Sequence, residues 1–175
     1  DPEFMGSSGS IGGAVQIKSG GGSFVGCNFR HNTAVVGGHI AIMGNTEVSF
    51  HDCFMQDGRS GSGGAISINN GADCVIEDCT ITENSSLDYG GGIANGGNIQ
   101  FRRTKLFNNR TVNGGADIAN KIGGTMVLED SLETLQELFA DEGIIVHGWV
   151  CDYDFDGNIY IPDVEPTEEN LLMLD

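Results

Sequence analysis

One phrase returns about every 25 residues: "GGAVQIKS" at 12, "GGHIAIMG" at 37, "GGAISINN" at 63, "GGGIANGG" at 90 and "GGADIANK" at 114. The glycine pairs are thus spaced by 25, 26, 27 and 24 residues. A fixed period of 20 to 50 residues is the mark of a stacked repeat architecture, and it constrains the fold more than any single motif can. Laid under one another, the fourth positions read Val15, Ile40, Ile66, Ile93 and Asp117, and the sixth Ile17, Ile42, Ile68, Asn95 and Ala119. Farther along, Phe24, Phe50, Ile76, Phe101 and Leu128 align, with Val48, Cys74, Ile99 and Met126 two places earlier. Each repeat therefore holds two short apolar runs of period two, bounded by Gly, Asn, Ser or Asp, which is how strands and turns read.

Such strands cannot bury an apolar face alone. Coiling the chain so that equivalent strands pair in parallel, roughly 4.8 Å apart, stacks like side chains inside and makes each repeat one rung. The sequence predicts an all-β fold: a right-handed, single-stranded parallel β-helix of about five rungs over residues 12–129, its hand set by the usual crossover preference. The glycines at each corner supply positive φ or room for a tight turn. Glycine, 28 of 175 residues, is abundant while proline, at three, is scarce, so the glycine serves ordered structure and not a flexible linker.

Three cysteines support the same register. Cys27, Cys53 and Cys79 lie 26 apart and continue as Thr104 and Ser131, an interior column of small side chains. With five cysteines one must stay unpaired, against a disulfide scaffold. Asn32, Asn84 and Asn109 each fall five residues beyond a column member and are suited to cap a corner through their amides; the second rung has Gly58 there.

The fragments "FRHN" at 29–32, "ITEN" at 81–84 and "LFNN" at 106–109, alternating with "GGAV", "GGAI" and "GGGI", resemble the FxxN and GGA(I/L/V) repeats of the polymorphic outer membrane protein family. That resemblance implies a β-helical passenger region of a surface-displayed adhesin. It spans residues 12 to 119; "GGHI", "GGAD" and Gly58 depart from it.

Enzymes of carbohydrate chemistry also use parallel β-helices, so exposed carboxylates and basic groups are the candidates for activity. The alignment puts Arg102 between Glu77 and Glu129 and Arg103 between Asp78 and Asp130, a pattern of opposite charges on neighbouring strands. It also sets Asp52 beside Asp78 and His51 beside Glu77, where like charges can lift a carboxyl pKa. No Ser-His-Asp motif or phosphate loop is present.

Charge divides the chain. Residues 1–128 hold 11 acids and all eight Lys and Arg, whereas 129–175 hold 14 acids and no base. The net charge of -17 disfavours nucleic acid and anionic membrane, and no run of about 20 apolar residues is present for membrane insertion. Residues 1–11, with "DPEF" before Met5, read as a cloning scar and lead-in. Over 130–150, Leu132, Leu135, Leu138 and Phe139 share one helical face behind an Asp130/Glu133 capping box, the signature of a helix that covers the open end of a solenoid; "GIIVHGWVC" then reads as a strand.

The acidic tail, 151–175, contains "DYDFDGNIYIPD" at 152–163. Alternate Asp side chains present hard oxygen donors around one point, glycine at position six allows the turn, and position seven offers a backbone carbonyl. The loop resembles the calcium loops of EF-hand and dockerin modules. The resemblance implies a Ca2+ site with Asp152, Asp154, Asp156 and Asp163 as side-chain ligands and Asn158 through its carbonyl, with Asp in place of the usual bidentate Glu at position twelve. The expected role is a structural or adhesive module of an extracellular or cell-surface protein, with a surface glycan or protein as partner. A carbohydrate-active enzyme is the alternative, and end-to-end self-association through an uncapped rung is a third class.

Overall fold

The computed structural model describes residues 2–113, 115–121, 123–129 and 137, together with the backbone of 158–160. The chain coils through about five turns, and each turn contributes a strand to four parallel faces. The first face comprises Glu3–Met5, Asn28–Arg30, Phe54–Gln56, Thr80–Thr82 and Lys105–Phe107. The second comprises Ser8–Ile11, Thr33–Val36, Arg59–Ser60, Ser85–Ser86 and Arg110–Thr111. Val15–Ile17, Ile40–Ile42, Ile66–Ile68, Ile93–Asn95 and Ile118–Asn120 make the third. Gly20–Val25, Thr46–His51, Asp73–Glu77, Asn98–Arg102 and Thr125–Leu128 make the fourth, extended by Asn158–Tyr160. Pairing begins at Glu3, so part of the segment ahead of the first glycine pair lies within the coil.

The columns read from sequence are the columns of the core. Phe24, Phe50, Ile76, Phe101 and Leu128 are in register, as are Val48, Cys74, Ile99 and Met126. Like stacks on like: the rings of Phe24 and Phe50 lie 5.1 Å apart and near parallel, and those of Phe4 and Phe29 4.7 Å apart. Phe29, Phe50, Ile66, Ile76 and Phe101 are essentially inaccessible to solvent. Each such side chain contributes about 1.5–3 kcal/mol by leaving water. Because every turn buries its face only against the turns beside it, the apolar strip must repeat in each turn, and that need is the physical origin of the period.

The fifth corner corrects the expected alignment. Ile118 pairs with Ile93 and Asn120 with Asn95, so these residues, and not Asp117 and Ala119, hold the fourth and sixth positions. The corner glycine at positive φ is Gly115, in line with Gly12, Gly37, Gly63 and Gly90. A Cβ on Gly37 would come within 2.1 Å of the Ile40 carbonyl oxygen, which is why this position admits nothing larger. Corrected by one residue, the spacing becomes 25, 26, 27 and 25, and Asp117 moves out of the strand into the corner.

Two further corners carry side chains in the left-handed region. His31, Asp57, Glu83 and Asn108 form one such column, and Asp52, Asp78 and Arg103 another, with φ between 44° and 58°. Each precedes an inward residue of the asparagine or the cysteine column, so the strained residue is the one that swings its successor into the coil. The anticipated helical cap over 130–150 lies outside the described residues, apart from Glu137.

Candidate functional site

Two of the corners are built from polar side chains that clamp the turn beneath. Asn84 Oδ1 accepts the main-chain N–H of Gly58 at 2.8 Å, while its Nδ2 donates to the carbonyls of Met55 at 3.1 Å and Thr82 at 2.9 Å. Asn109 repeats the arrangement one turn on: its Oδ1 accepts the N–H and Nδ2 of Asn84, and its Nδ2 donates to the Ile81 carbonyl. At the first corner Asn32 takes the N–H of Ser7 at 2.9 Å and donates to the Phe4 carbonyl at 2.8 Å. Buried amides satisfied in this way fix the register of successive turns.

The second turn has no asparagine, and His39 supplies what is missing. Its Nδ1 lies 2.9 Å from Asn32 Nδ2 and its Nε2 3.1 Å from Asn84 Oδ1. Since an amide nitrogen can only donate, Nδ1 accepts, and Nε2–H donates to Asn84; the network assigns a neutral ring of one tautomer. Burial lowers its pKa to about 4, against the opposing pull of the bond to Asn84. At the other end of the column Asp117 Oδ1 accepts from Asn109 Nδ2 at 2.7 Å and from its N–H at 3.2 Å, the place a further asparagine would take. Burial raises the Asp117 carboxyl to about 6, moderated by the Asn109 donors. The two residues that break the repeat, "GGHI" and "GGAD", are therefore the two that complete the column.

The cysteine corner follows the same logic with softer atoms. The N–H of Cys53 points at Cys79 Sγ, 3.4 Å away, and the N–H of Cys79 at Thr104 Oγ1, 3.3 Å away. Cys27, Cys53 and Cys79 are buried free thiols in single file. Ser131 lies outside the described residues.

The charged strip at the edge of the fourth face carries Arg102 and Arg103. Arg102 donates through Nε to Glu129 and through Nη1 to Glu77, at 2.7 and 3.3 Å, with a further contact from Nη2 to Glu129. Arg103 grips both oxygens of Asp78, at 2.7 and 2.8 Å, and reaches Glu77 at 2.6 Å. Hydrogen bonds from Arg103 hold the carboxyls of Glu77 and Asp78 below the usual range. The rise anticipated from Asp52 beside Asp78 does not develop at Asp78, because guanidinium lies against it. His51 pairs with Glu77 in the ladder as expected, and its Nδ1 lies 3.7 Å from Asp78. Asp130 lies outside the described residues.

A serine hydroxyl and a lysine amine meet beside the corner between the second and third faces. Lys121 Nζ donates to Ser62 Oγ at 2.9 Å, and burial lowers the lysine pKa. The neighbouring N–H groups of Gly63 and Gly64 are spent on Tyr89 and Gly90 carbonyls, so they form no oxyanion hole beside that hydroxyl. The second face itself carries a shallow depression of about 400 Å³ where Gly61 interrupts an exposed column of Val35, Leu87 and Val112.

The calcium-loop residues Asp152, Asp154, Asp156 and Asp163 lie outside the described residues. Asn158 is placed by its backbone, in the strand that pairs with Thr125–Val127. Among the described residues no three His, Cys, Asp or Glu side chains converge on a point. Sequence reasoning missed His39 and Asp117 as column members; the signal was that both stand where the corner otherwise has alanine or glycine.

Residues 7–159 match the family model described as right handed beta helix region. No curated protein and no solved structure matches the chain.

Proposed function

Because the chain belongs to the right-handed β-helix family, we propose that it serves as a non-enzymatic structural or adhesive module at a cell surface or outside the cell, with calcium stiffening its acidic end. The observation that carries this reading is the charge ladder on the fourth face: the guanidinium groups of Arg102 and Arg103 are spent on Glu77, Asp78 and Glu129 of adjacent turns. Opposite charges paired across neighbouring strands stabilise the stacking of turns, which is the work a structural module requires. The outer depression on the second face is shallow and flanked by valine and leucine, more suited to contact than to enclosing a reacting bond. For calcium, support comes from the loop spacing and from the strand Asn158–Tyr160, which ties the middle of the loop to the last full turn.

Two measurements test the proposal. Purified protein is incubated with acidic and neutral polysaccharides and followed for release of reducing ends or unsaturated sugars, alongside a glycan array. The expected result is no turnover, with or without array binding; turnover abolished by Arg103→Ala would establish the carbohydrate-active alternative. Calorimetric titration with Ca2+, using Asp154→Ala as control, is expected to give heat in the parent and none in the variant. Absence of heat in the parent removes calcium from the proposal and leaves the module reading standing.

A further inference from the structure

We propose that protonation of His39 unlocks the N-terminal turn of the coil, because the imidazolium sets a second N–H against the Asn32 amide that clamps Ser7 and Phe4. The column gives this event a direction. Toward the C-terminal end, the Nε2–H bond to Asn84 is the same in either protonation state, and Asn84 keeps Gly58, Met55, Thr82 and Asn109. Toward the N-terminal end, Nδ1 changes from acceptor to donor at 2.9 Å from the donor Asn32 Nδ2.

Asn32 has one way to answer. Turning its amide over brings Oδ1 to the new N–H, but Nδ2 then faces the N–H of Ser7 and the Phe4 carbonyl loses its donor. Left unturned, the amide is repelled where it stands. Both outcomes break the clamp on the turn that contains Glu3–Met5 and Ser8–Ile11. Among the described residues those strands pair with Asn28–Arg30 and Thr33–Val36, and a turn that loses a buried clamp opens before the rest of a coil does. Their release bares the edges of Asn28–Arg30 and Thr33–Val36, rows of unpaired main-chain groups that accept another strand.

The surroundings of the ring are accounted for on each side. Within its own turn it faces Asn32 and the Phe29 ring, 6.1 Å between centroids. From the next two turns it faces Gly58 and Asn84. Outside the corner stand His31 and Asp57, joined at 2.7 Å, with Arg59 also on Asp57. Asp57 and the Gln56 backbone favour the proton and a charged His31 opposes it, while burial is the largest influence and places the change near pH 4.

The test is amide hydrogen exchange by NMR on the full chain at about pH 7 and about pH 4, in the parent and in His39→Gln, whose amide offers an acceptor and a donor but does not titrate. In the parent the protection of the Ser7 amide is expected to fall about tenfold or more on acidification while that of Gly58 holds, and in the variant both hold within about twofold. Equal loss at Ser7 in parent and variant overturns the proposal, as does loss at Gly58 with Ser7 protected. Should the variant not fold, the ring nitrogen shifts of His39 in the parent decide: a protonated ring beside a still-protected Ser7 amide refutes the unlocking, and coincident titration of the two supports it.

Discussion

A Cβ on Gly58 would lie 2.7 Å from His39 Nε2 and 2.3 Å from the Gly64 carbonyl oxygen, so the imidazole occupies the space that the absent side chain leaves. Two departures from the repeat, in consecutive turns, are thereby one substitution: a ring from the glycine corner reaches across to do the work of a corner asparagine.

Gly58→Ala is accordingly expected to destabilise the protein although it only adds a methyl group. The displaced ring would lose its bond to Asn84, and the main-chain contact cannot be relieved by a side-chain rotation. A loss of about 1–3 kcal/mol is expected from overpacking of this kind, read from the midpoint of urea unfolding with an unchanged slope.

The same column makes opposing demands on pH. His39 has a lowered folded pKa, so the folded state binds fewer protons than the unfolded chain and stability falls as pH drops from the ordinary histidine value toward about 4. Asp117 has a raised folded pKa, so the folded state binds more protons and stability falls as pH rises from the ordinary carboxyl value through about 6. Each excursion is worth on the order of 3 kcal/mol, and across the shared window they offset. His39→Gln should therefore become relatively more stable than the parent as pH falls, Asp117→Asn relatively more stable as pH rises, and the double variant should show neither slope. Unfolding free energies measured from about pH 4 to about pH 7 check the pattern; parallel slopes in the two single variants would refute it.

The left-handed corners allow a separate check. Asp52 is exposed, with φ 52°, and sits where the equivalent residue of the first turn is Gly26 at φ 62°. Asp52→Gly should be close to neutral, since relief of strain is offset by greater freedom in the unfolded chain. Asp52→Val puts a β-branched residue in the same backbone state and should cost about 1–2 kcal/mol. Thermal unfolding of the pair distinguishes backbone strain from loss of the carboxylate, because both variants lack the charge.

How much of this was legible beforehand follows from the chemistry of each column. The inward columns of the fourth face and the file of Cys27, Cys53 and Cys79 could be read because stacking selects like side chains, and likeness is visible in sequence. The left-handed columns select a backbone state, which His31, Asp57, Glu83 and Asn108 adopt without any shared side-chain chemistry, so no pattern announces them. The fifth corner was misplaced by one residue because Gly114 and Gly115 both match the motif; the ladder of Ile93 with Ile118 decides between them. The role of His39 was hidden for a different reason. It sits in one turn and substitutes in the next, a relation across turns that an alignment of equivalent positions separates. The calcium loop was legible only as spacing, and four of its five proposed ligands lie outside the described residues.

The charged strip yields the prediction that separates a structural ladder from a working site. Glu77 and Asp78 are held below the ordinary carboxyl range first by Arg103, so their stabilising contribution is complete at neutral pH and is lost as pH falls through the lowered values. Arg103→Gln removes the charge but keeps a donor, and both carboxyls should then titrate higher, Asp78 the more clearly because it loses two bonds to the guanidinium. Concentrated salt should produce part of that shift in the parent, since Glu77 and Asp78 are half-buried, Arg103 is exposed, and water and salt reach the pairs to screen their attraction. Carboxyl carbon shifts followed through an acid titration measure both effects. A ladder predicts that Arg103→Gln moves the titration and lowers acid stability slightly with glycan binding unchanged. If the carboxyls instead titrate as in the parent while array binding is lost, the guanidinium is engaged with ligand and the ladder account of this face is wrong.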